Sequence, residues 1–299
     1  MTRYALPDKV VFITGGTGGI GSATARELLA RGARVAIADL RADTADIARG
    51  MSATSAFGVV ADVTDRESLD RAVAEVVDHF GRIDVAMANA GILARGATIR
   101  TLSPAAIDAT FDVNVRGVLN TVAATMDQVI AQRGEFVFLS SVFAFMNGMG
   151  TIPYAMSKAA VEQLGRGLRV ELAPHGVTST TVYFSLIQTG MIKAGIDDAP
   201  DVIALLDTLP KPLMKRLQPH QAARSIVDGM ARRAPRVMLP GRWKPIAALR
   251  GVLGPAFDTR LSKDPSTLAA LARLDEKTPA VAPAAPVTAA APITDRSAR

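Results

Sequence analysis

Seven short apolar runs punctuate the first 240 residues: "KVVFIT", "ARVAIAD", "FGVVAD", "RIDVAMANA", "GEFVFLSS", "GVTSTTVYF" and "RVMLP". They are rich in β-branched residues and mostly continuous rather than alternating, the pattern of strands covered on both faces. Between most of them, apolar positions recur at steps of three and four, as over 19–31, 65–80, 104–132 and 154–173, which predicts helices. Strands alternating with helices predict a doubly wound α/β domain over 1–241, a parallel seven-stranded sheet with helices on both faces. After Pro240 the pattern changes. "GRWKPIAALRGVLGPAFDTRLSK" predicts one or two short amphipathic helices broken near Gly254-Pro255, part of a basic helical extension over 242–275. Residues 276–299 are rich in Pro and Ala without an apolar face, and a disordered tail is expected there.

Composition narrows the options. Hydrophobic residues make up 49% of the 299, enough to fill a substantial core. There is no cysteine, which excludes disulfides and thiolate metal sites and fits a reducing cytoplasm. His79, His175 and His220 have no ligand spacing, so no metal is expected. Residues 1–9 lack a leader's apolar region, and no long uncharged apolar run predicts a spanning helix. The net charge of +6 is uneven: over 211–263, twelve Lys/Arg face only Asp228 and Asp258. No aromatic-studded recognition motif accompanies that charge, so nucleic acid is not the expected partner. Trp243 with Arg and Lys around apolar positions raises the alternative of peripheral membrane contact through 242–263.

The first strand runs directly into "TGGTGGIG", Thr14 to Gly21, and then into a helical pattern. Glycines there allow a tight turn and close backbone approach to a pyrophosphate, whose charge a helix N-terminus favours. Gly15, Thr17, Gly19, Ile20 and Gly21 are the candidate contacts, and the domain is therefore read as Rossmann-type. The second strand ends at Asp39, followed by Leu40. A carboxylate there accepts ribose hydroxyls and repels a 2′-phosphate, which predicts NAD over NADP; Arg41 works against that preference.

Tyrosine is scarce, three in the chain, yet Tyr154 stands four residues before Lys158 at an expected helix start. That spacing puts both on one helix face. A phenol near pKa 10 is a poor base at neutral pH, and lowering it by roughly three units takes about 4 kcal/mol, comparable to one charge about 4 Å away at an effective dielectric near 20. The ammonium of Lys158, with the positive nicotinamide of the oxidised cofactor, is expected to supply that shift.

With Thr14-Gly15, Gly19–Gly21, Asp39, Asp62-Val63, Asn89-Ala90-Gly91, Asn114, Ser141, Tyr154 and Lys158 in this order, the chain resembles the short-chain dehydrogenase/reductase family, single-domain branch. The thirteen-residue step from Ser141 to Tyr154 is that branch's spacing; the additional Gly18 also fits the longer epimerase branch. The resemblance implies that Tyr154 is the general acid/base and Ser141 the residue polarising the substrate carbonyl. It implies that Lys158 binds the nicotinamide ribose and Asn114 holds a proton-relay water. Asp62 and Val63 would meet adenine, Asn89, Ala90 and Gly91 would line the cofactor, and Ile187 and Thr189 would hold the carboxamide. A departure follows the sixth strand, where Phe184-Ser185 replace the family's Pro-Gly.

The implied activity is hydride transfer between a nicotinamide cofactor and a secondary alcohol or ketone. The apolar stretch 186–217 stands where relatives carry a substrate lid, and it points to a hydrophobic, steroid-, retinol- or lipid-like substrate. A nucleotide-sensing regulator on the same fold, or an epimerase or dehydratase, is the alternative. Family analogy also predicts a homodimer or homotetramer through the helices of 104–132 and the one beginning at Tyr154. Gly165 and Gly167 within the latter suggest close approach of another element.

Overall fold

The structure is a computed structural model, describing residues 4–94 and 96–276. The expected tail, 276–299, lies outside the described residues but for Glu276. Seven strands form one parallel sheet: β1 (Val10–Thr14), β2 (Arg34–Asp39), β3 (Ala56–Val60), β4 (Val85–Ala88), β5 (Glu135–Leu139), β6 (Thr178–Phe184) and β7 (Arg236–Leu239). Their order is β3-β2-β1-β4-β5-β6-β7. Connections run outward to opposite sides from β1 and β4, so a crevice opens at the carboxyl ends of these two strands, where such folds bind ligands.

The continuous apolar runs are explained by cores on both faces. Phe12, Ala36, Ala86 and Phe136 face α3 (Arg66–Phe80), α5 (Gly117–Ala131) and α6 (Ile152–Glu171). Their strand neighbours Val11, Ile13, Val35 and Val137 face α1 (Gly19–Ala30) and α9 (Pro219–Ala231). Between β2 and β3 lies α2 (Thr44–Met51). The helix expected over 104–132 is α4 (Pro104–Phe111), a π-helical segment at Asp112–Arg116, and α5. Such wide turns recur at functional sites, and this one carries Asn114.

Gly165 lets α6 lie directly on the sheet: a Cβ there would stand 2.3 Å from the Thr181 hydroxyl and 3.0 Å from the Phe138 ring. Gly167 faces open space. The close approach suggested by this pair is therefore within the chain, and at Gly165 alone.

After β6 come α7 (Gly190–Ile192) and α8 (Pro200–Leu206), and beyond β7 the extension folds as α10 (Trp243–Ala248), α11 (Arg250–Leu261) and α12 (Pro265–Asp275). The break expected near Gly254-Pro255 falls instead at Leu249. Pro255 lies inside α11, forfeiting one helical hydrogen bond, while Leu249 leaves helical geometry with ψ 13°. The Asp264 carboxylate caps α12 by accepting from Thr267 N at 2.8 Å. Its apolar face then packs on α8, with Leu186, Val202, Leu205, Ala270 and Leu274 forming a third core. Asp275 accepts hydrogen bonds from Thr98 and, at 2.8 Å, from Arg100. Arg250 pairs with the largely buried Glu162 of α6 at 2.8 Å. Trp243 is fully buried, so the aromatic that suggested membrane contact is not at the surface; Leu249, Val252 and Leu253 are. No helix among the described residues is long and apolar enough to cross a membrane.

Candidate active site

The loop from β1 to α1 is built as a cradle. Gly15 sits at φ +64°, and a side chain there would meet Ala90 Cα at 2.8 Å. Gly21 presses on the loop so closely that a Cβ would stand 2.3 Å from the Gly15 carbonyl. Asn89, just after β4, donates to the Thr14 and Gly15 carbonyls at 2.9 Å each, locking the loop to the neighbouring strand. Gly18 precedes α1 with no side-chain cap and no acid in the first turn. The amide of Ser22 bonds to the Gly18 carbonyl at 2.8 Å. The amides of Gly19, Ile20 and Gly21 come before that first helical bond and are available to an anion. Thr189 caps α7, its Oγ1 accepting from Ile192 N at 3.5 Å, and its methyl would lie 2.8 Å from a Cβ at Gly19. The segment after β6 thus closes over the cradle.

At the other end, Asp39 accepts from Thr17 through the backbone at 3.0 Å and the hydroxyl at 2.7 Å, both on Oδ2. Leu40 beside it is exposed. Arg41 donates to Asp43 at 2.8 Å, and this pairing raises the guanidinium pKa and lowers that of the Asp43 carboxyl. Asp62 accepts from Thr64 N and Oγ1, 2.8 Å each, so its carboxylate shapes its own turn. Val63 is buried, its carbonyl accepting from Asn120 at 2.9 Å. Ile187 is buried in the core beside α9, with a parallel bridge to Leu217. Phe184 and Ser185 fit without glycine: Phe184 is core, and the Ser185 hydroxyl donates to the Leu213 carbonyl at 3.3 Å.

Tyr154, Lys158, Ser141 and Asn114 come together beside the ends of β4 and β5. Lys158 is buried, its Nζ donating to the Leu139 carbonyl at 2.9 Å and lying 5.5 Å from the centre of the Tyr154 ring. Ser140 ties α6 to β5 by donating to the Lys158 carbonyl at 2.8 Å. The Ser141 hydroxyl donates to the Phe184 carbonyl at 3.2 Å and accepts from Phe143 N at 3.2 Å. Phe143 sets its ring edge-to-face with Tyr154, centroids 6.1 Å apart.

Desolvation and packing both bear on these roles. Burial pushes the Tyr154 phenol up to about 12, opposed only by the Ser141 hydroxyl, and pushes Lys158 down to about 8. Desolvation favours the neutral form of both groups and works against the lowering expected from Lys158 and the nicotinamide together. The Asn114 side chain is also engaged: Oδ1 accepts from Ile92 N at 2.8 Å, and Nδ2 donates to the Ile92 carbonyl at 2.9 Å and Ser157 Oγ at 3.1 Å. Ser157 in turn donates to the Tyr154 carbonyl at 2.7 Å. The Asn114 side chain therefore fixes the turn after β4 to the start of α6.

Sequence reasoning did not single out Phe143, Ser157 or the role of Trp243. A small apolar cavity borders the site, lined by Phe143, Met149, Leu205, Leu209, Met214 and Trp243 among others. Phe143 stands two residues after Ser141, a local signal; Trp243 arrives from about a hundred residues away and has none.

Sheet order, open cradle and crevice define a dinucleotide-binding α/β protein. Residues 9–199 match the family model described as short chain dehydrogenase, and the chain belongs to that family of oxidoreductases. It is 35% identical over 204 residues to acetoacetyl-CoA reductase of Synechocystis sp., covering 68% of this chain and 82% of that one. It is 31% identical over 230 residues to cis-2,3-dihydrobiphenyl-2,3-diol dehydrogenase of Paraburkholderia xenovorans, covering 73% and 83%. A short chain dehydrogenase/reductase from Burkholderia phymatum, solved in complex with NAD, superimposes with a TM-score of 0.73 over 88% of this chain and 98% of that one, at 22% identity. Levodione reductase superimposes with a TM-score of 0.72 at 25% identity, covering 80% and 98%.

Proposed function

We propose that this chain is an NAD-dependent dehydrogenase/reductase that interconverts a hydrophobic secondary alcohol and its ketone, with Tyr154 as general acid/base. The observation that carries this reading is the position of Lys158: buried like Ser141, its Nζ lies 5.5 Å from the centre of the Tyr154 ring and 3.5 Å from a Cβ at Gly91, in the turn whose Asn89 holds the glycine cradle. The residues fit a dinucleotide. Uncapped amides of α1 suit a pyrophosphate, and Asp39, engaged by Thr17 on Oδ2, leaves Oδ1 for a ribose hydroxyl. The pairing of Arg41 with Asp43 turns the nearby guanidinium to a carboxylate of its own chain, which supports NAD over NADP.

The nicotinamide, when bound, carries the hydride. In ketone reduction the Tyr154 hydroxyl gives its proton to the substrate oxygen as the carbonyl carbon gains the hydride; oxidation reverses both transfers. Ser141, on turning its hydroxyl from the Phe184 carbonyl, hydrogen-bonds the same oxygen and polarises it. Lys158, held by the Leu139 carbonyl, sets a positive charge beside the phenol and stabilises its ionised form. Asn114 and Ser157 fix the first turn of α6, so the phenol is held rather than swung. The apolar side chains of Phe143, Leu205, Leu209 and Met214 gathered there support a hydrophobic substrate. The relatives' names describe ketone and diol chemistry consistent with this class.

We also infer self-association through α6, whose outer face carries Met156, Ala160, Gln163 and Val170 in the open.

The test is Tyr154→Phe with a panel of hydroxysteroids, long-chain alcohols and small ketones, followed by nicotinamide absorbance with both cofactors. Turnover should fall by about 10²–10⁴-fold while NAD affinity stays within a few fold. Undiminished turnover in this variant would refute the role of the phenol.

A further inference from the structure

We propose that the outward face of α11, with the exposed side of α10, docks on an anionic lipid bilayer. Trp243 is buried and takes no part. The residues that meet the lipid are aliphatic and cationic side chains of the extension.

Leu249, at the N-cap of α11, is followed by Val252, Leu253 and Ala256 at steps of three, four and seven, so the four share one helix face. All four are exposed, Val252 by 74%. The opposite face is anchored to the protein. There Arg250 pairs with Glu162 at 2.8 Å, Asp258 accepts from Asn147 at 2.8 Å, and Leu261 is buried. These anchors fix the rotation of α11 and hold the aliphatic stripe outward. Single exposed apolar residues are ordinary, but a stripe along one helix face marks an interaction surface.

Charge selects what covers it. From residue 236 to 263 there are six Lys/Arg and one acid, Asp258, which is turned to Asn147. Arg260 lies on the stripe itself, seven residues after Leu253, and Lys244 and Lys263 flank it; all three are exposed. The chain outside 211–263 is net acidic, so the cations are concentrated around this stripe and the preceding segment. A second copy docked face to face would set like charges together. An anionic bilayer accepts both features, hydrocarbon for the aliphatic side chains and headgroup phosphates for the Lys and Arg ends. The face also adjoins the chemistry: Asn147, held by Asp258 of α11, belongs to the loop joining Ser141 to Tyr154. Docking therefore brings that loop to the bilayer, where apolar alcohols and ketones concentrate.

The experiment floats the full chain with vesicles of phosphatidylcholine alone or mixed with phosphatidylglycerol, without cofactor or substrate. The chain should float with the anionic vesicles at about 0.1 M salt and be largely released at about 0.5 M. Val252→Glu with Leu253→Glu should lower recovery about tenfold, and Arg260→Glu alone about fivefold, with turnover of a water-soluble ketone unchanged. Failure of the wild type to float with anionic vesicles overturns the proposal. So does equal recovery on neutral vesicles, or undiminished recovery of the double variant. A wild type that ignores vesicles, with a double variant of lower mass by light scattering, would give the face to a second copy instead. If the double variant fails to fold, Arg260→Glu and the salt dependence still decide. Because binding is read without cofactor, its failure leaves the alcohol/ketone reading untouched, and nicotinamide absorbance tests that reading separately.

Discussion

At the scale of single residues, burial sets the electrostatics of this protein. Tyr154 and Lys158 are pushed in opposite directions, toward neutral forms, because each is held in a dry environment. The free chain thus keeps a protonated phenol ready to donate, and its ionisation depends on charge arriving in the crevice. Glu135 shows the same effect away from the site. Its carboxyl is pushed up to about 8 by burial at the start of β5. Thr180 Oγ1 contacts both Glu135 and the Ala234 carbonyl, and one hydroxyl hydrogen cannot serve two acceptors. A proton on Glu135 resolves the conflict by making it the donor. Because the folded form holds that proton more tightly than the unfolded chain, stability falls as pH rises from the ordinary carboxyl pKa to about 8. Glu135→Gln should therefore match wild type near pH 4–5 and exceed it above pH 8, by on the order of 2–4 kcal/mol. Thermal melts across that range check it; a gain independent of pH would mean that charge is not the cause.

Among elements, α6 does the most positioning. It carries Tyr154, Ser157 and Lys158, is tied to β5 through Ser140, and lies close on the sheet because Gly165 has no side chain. Two glycines on this helix should behave oppositely. Gly165→Ala must displace Thr181 or Phe138 and should cost about 1–3 kcal/mol. Gly167→Ala meets open space and should add about 0.5–1 kcal/mol through helix propensity. Chemical denaturation of both variants checks the sign as well as the size.

The seven strands were legible because a parallel sheet covered on both faces demands continuous apolar runs, a local property. Cradle and tyrosine–lysine spacing were legible for the same reason, lying within one turn or one helix. The π-helical segment at Asn114 was not, since a shift of one position in the hydrogen-bond ladder leaves no mark in composition. Neither was the capture of the Asn114 amide by Ile92, nor the burial of Trp243 beside Val142, both of which join segments distant along the chain.

On the scale of the whole molecule, the outer face of α6 leaves apolar side chains uncovered. Met156 and Val170 are 54% and 74% exposed on one stripe, with Gly167 between them. If copies meet there, light scattering of the wild type should give at least twice the 31.3 kDa chain mass, and Val170→Glu should bring it down toward that of a single chain. A wild type running at the single-chain mass would dispose of the inference.

In the extension, α12 packs on α8, and Asp258 of α11 holds Asn147 in the wall of the cavity. This arrangement has a consequence for biosynthesis. The cradle and the tyrosine are encoded upstream of residue 191, whereas the tryptophan wall and the helix bracing α8 follow residue 242. On the ribosome, the residues of the cradle therefore emerge well before the last wall of this cavity, which the extension supplies.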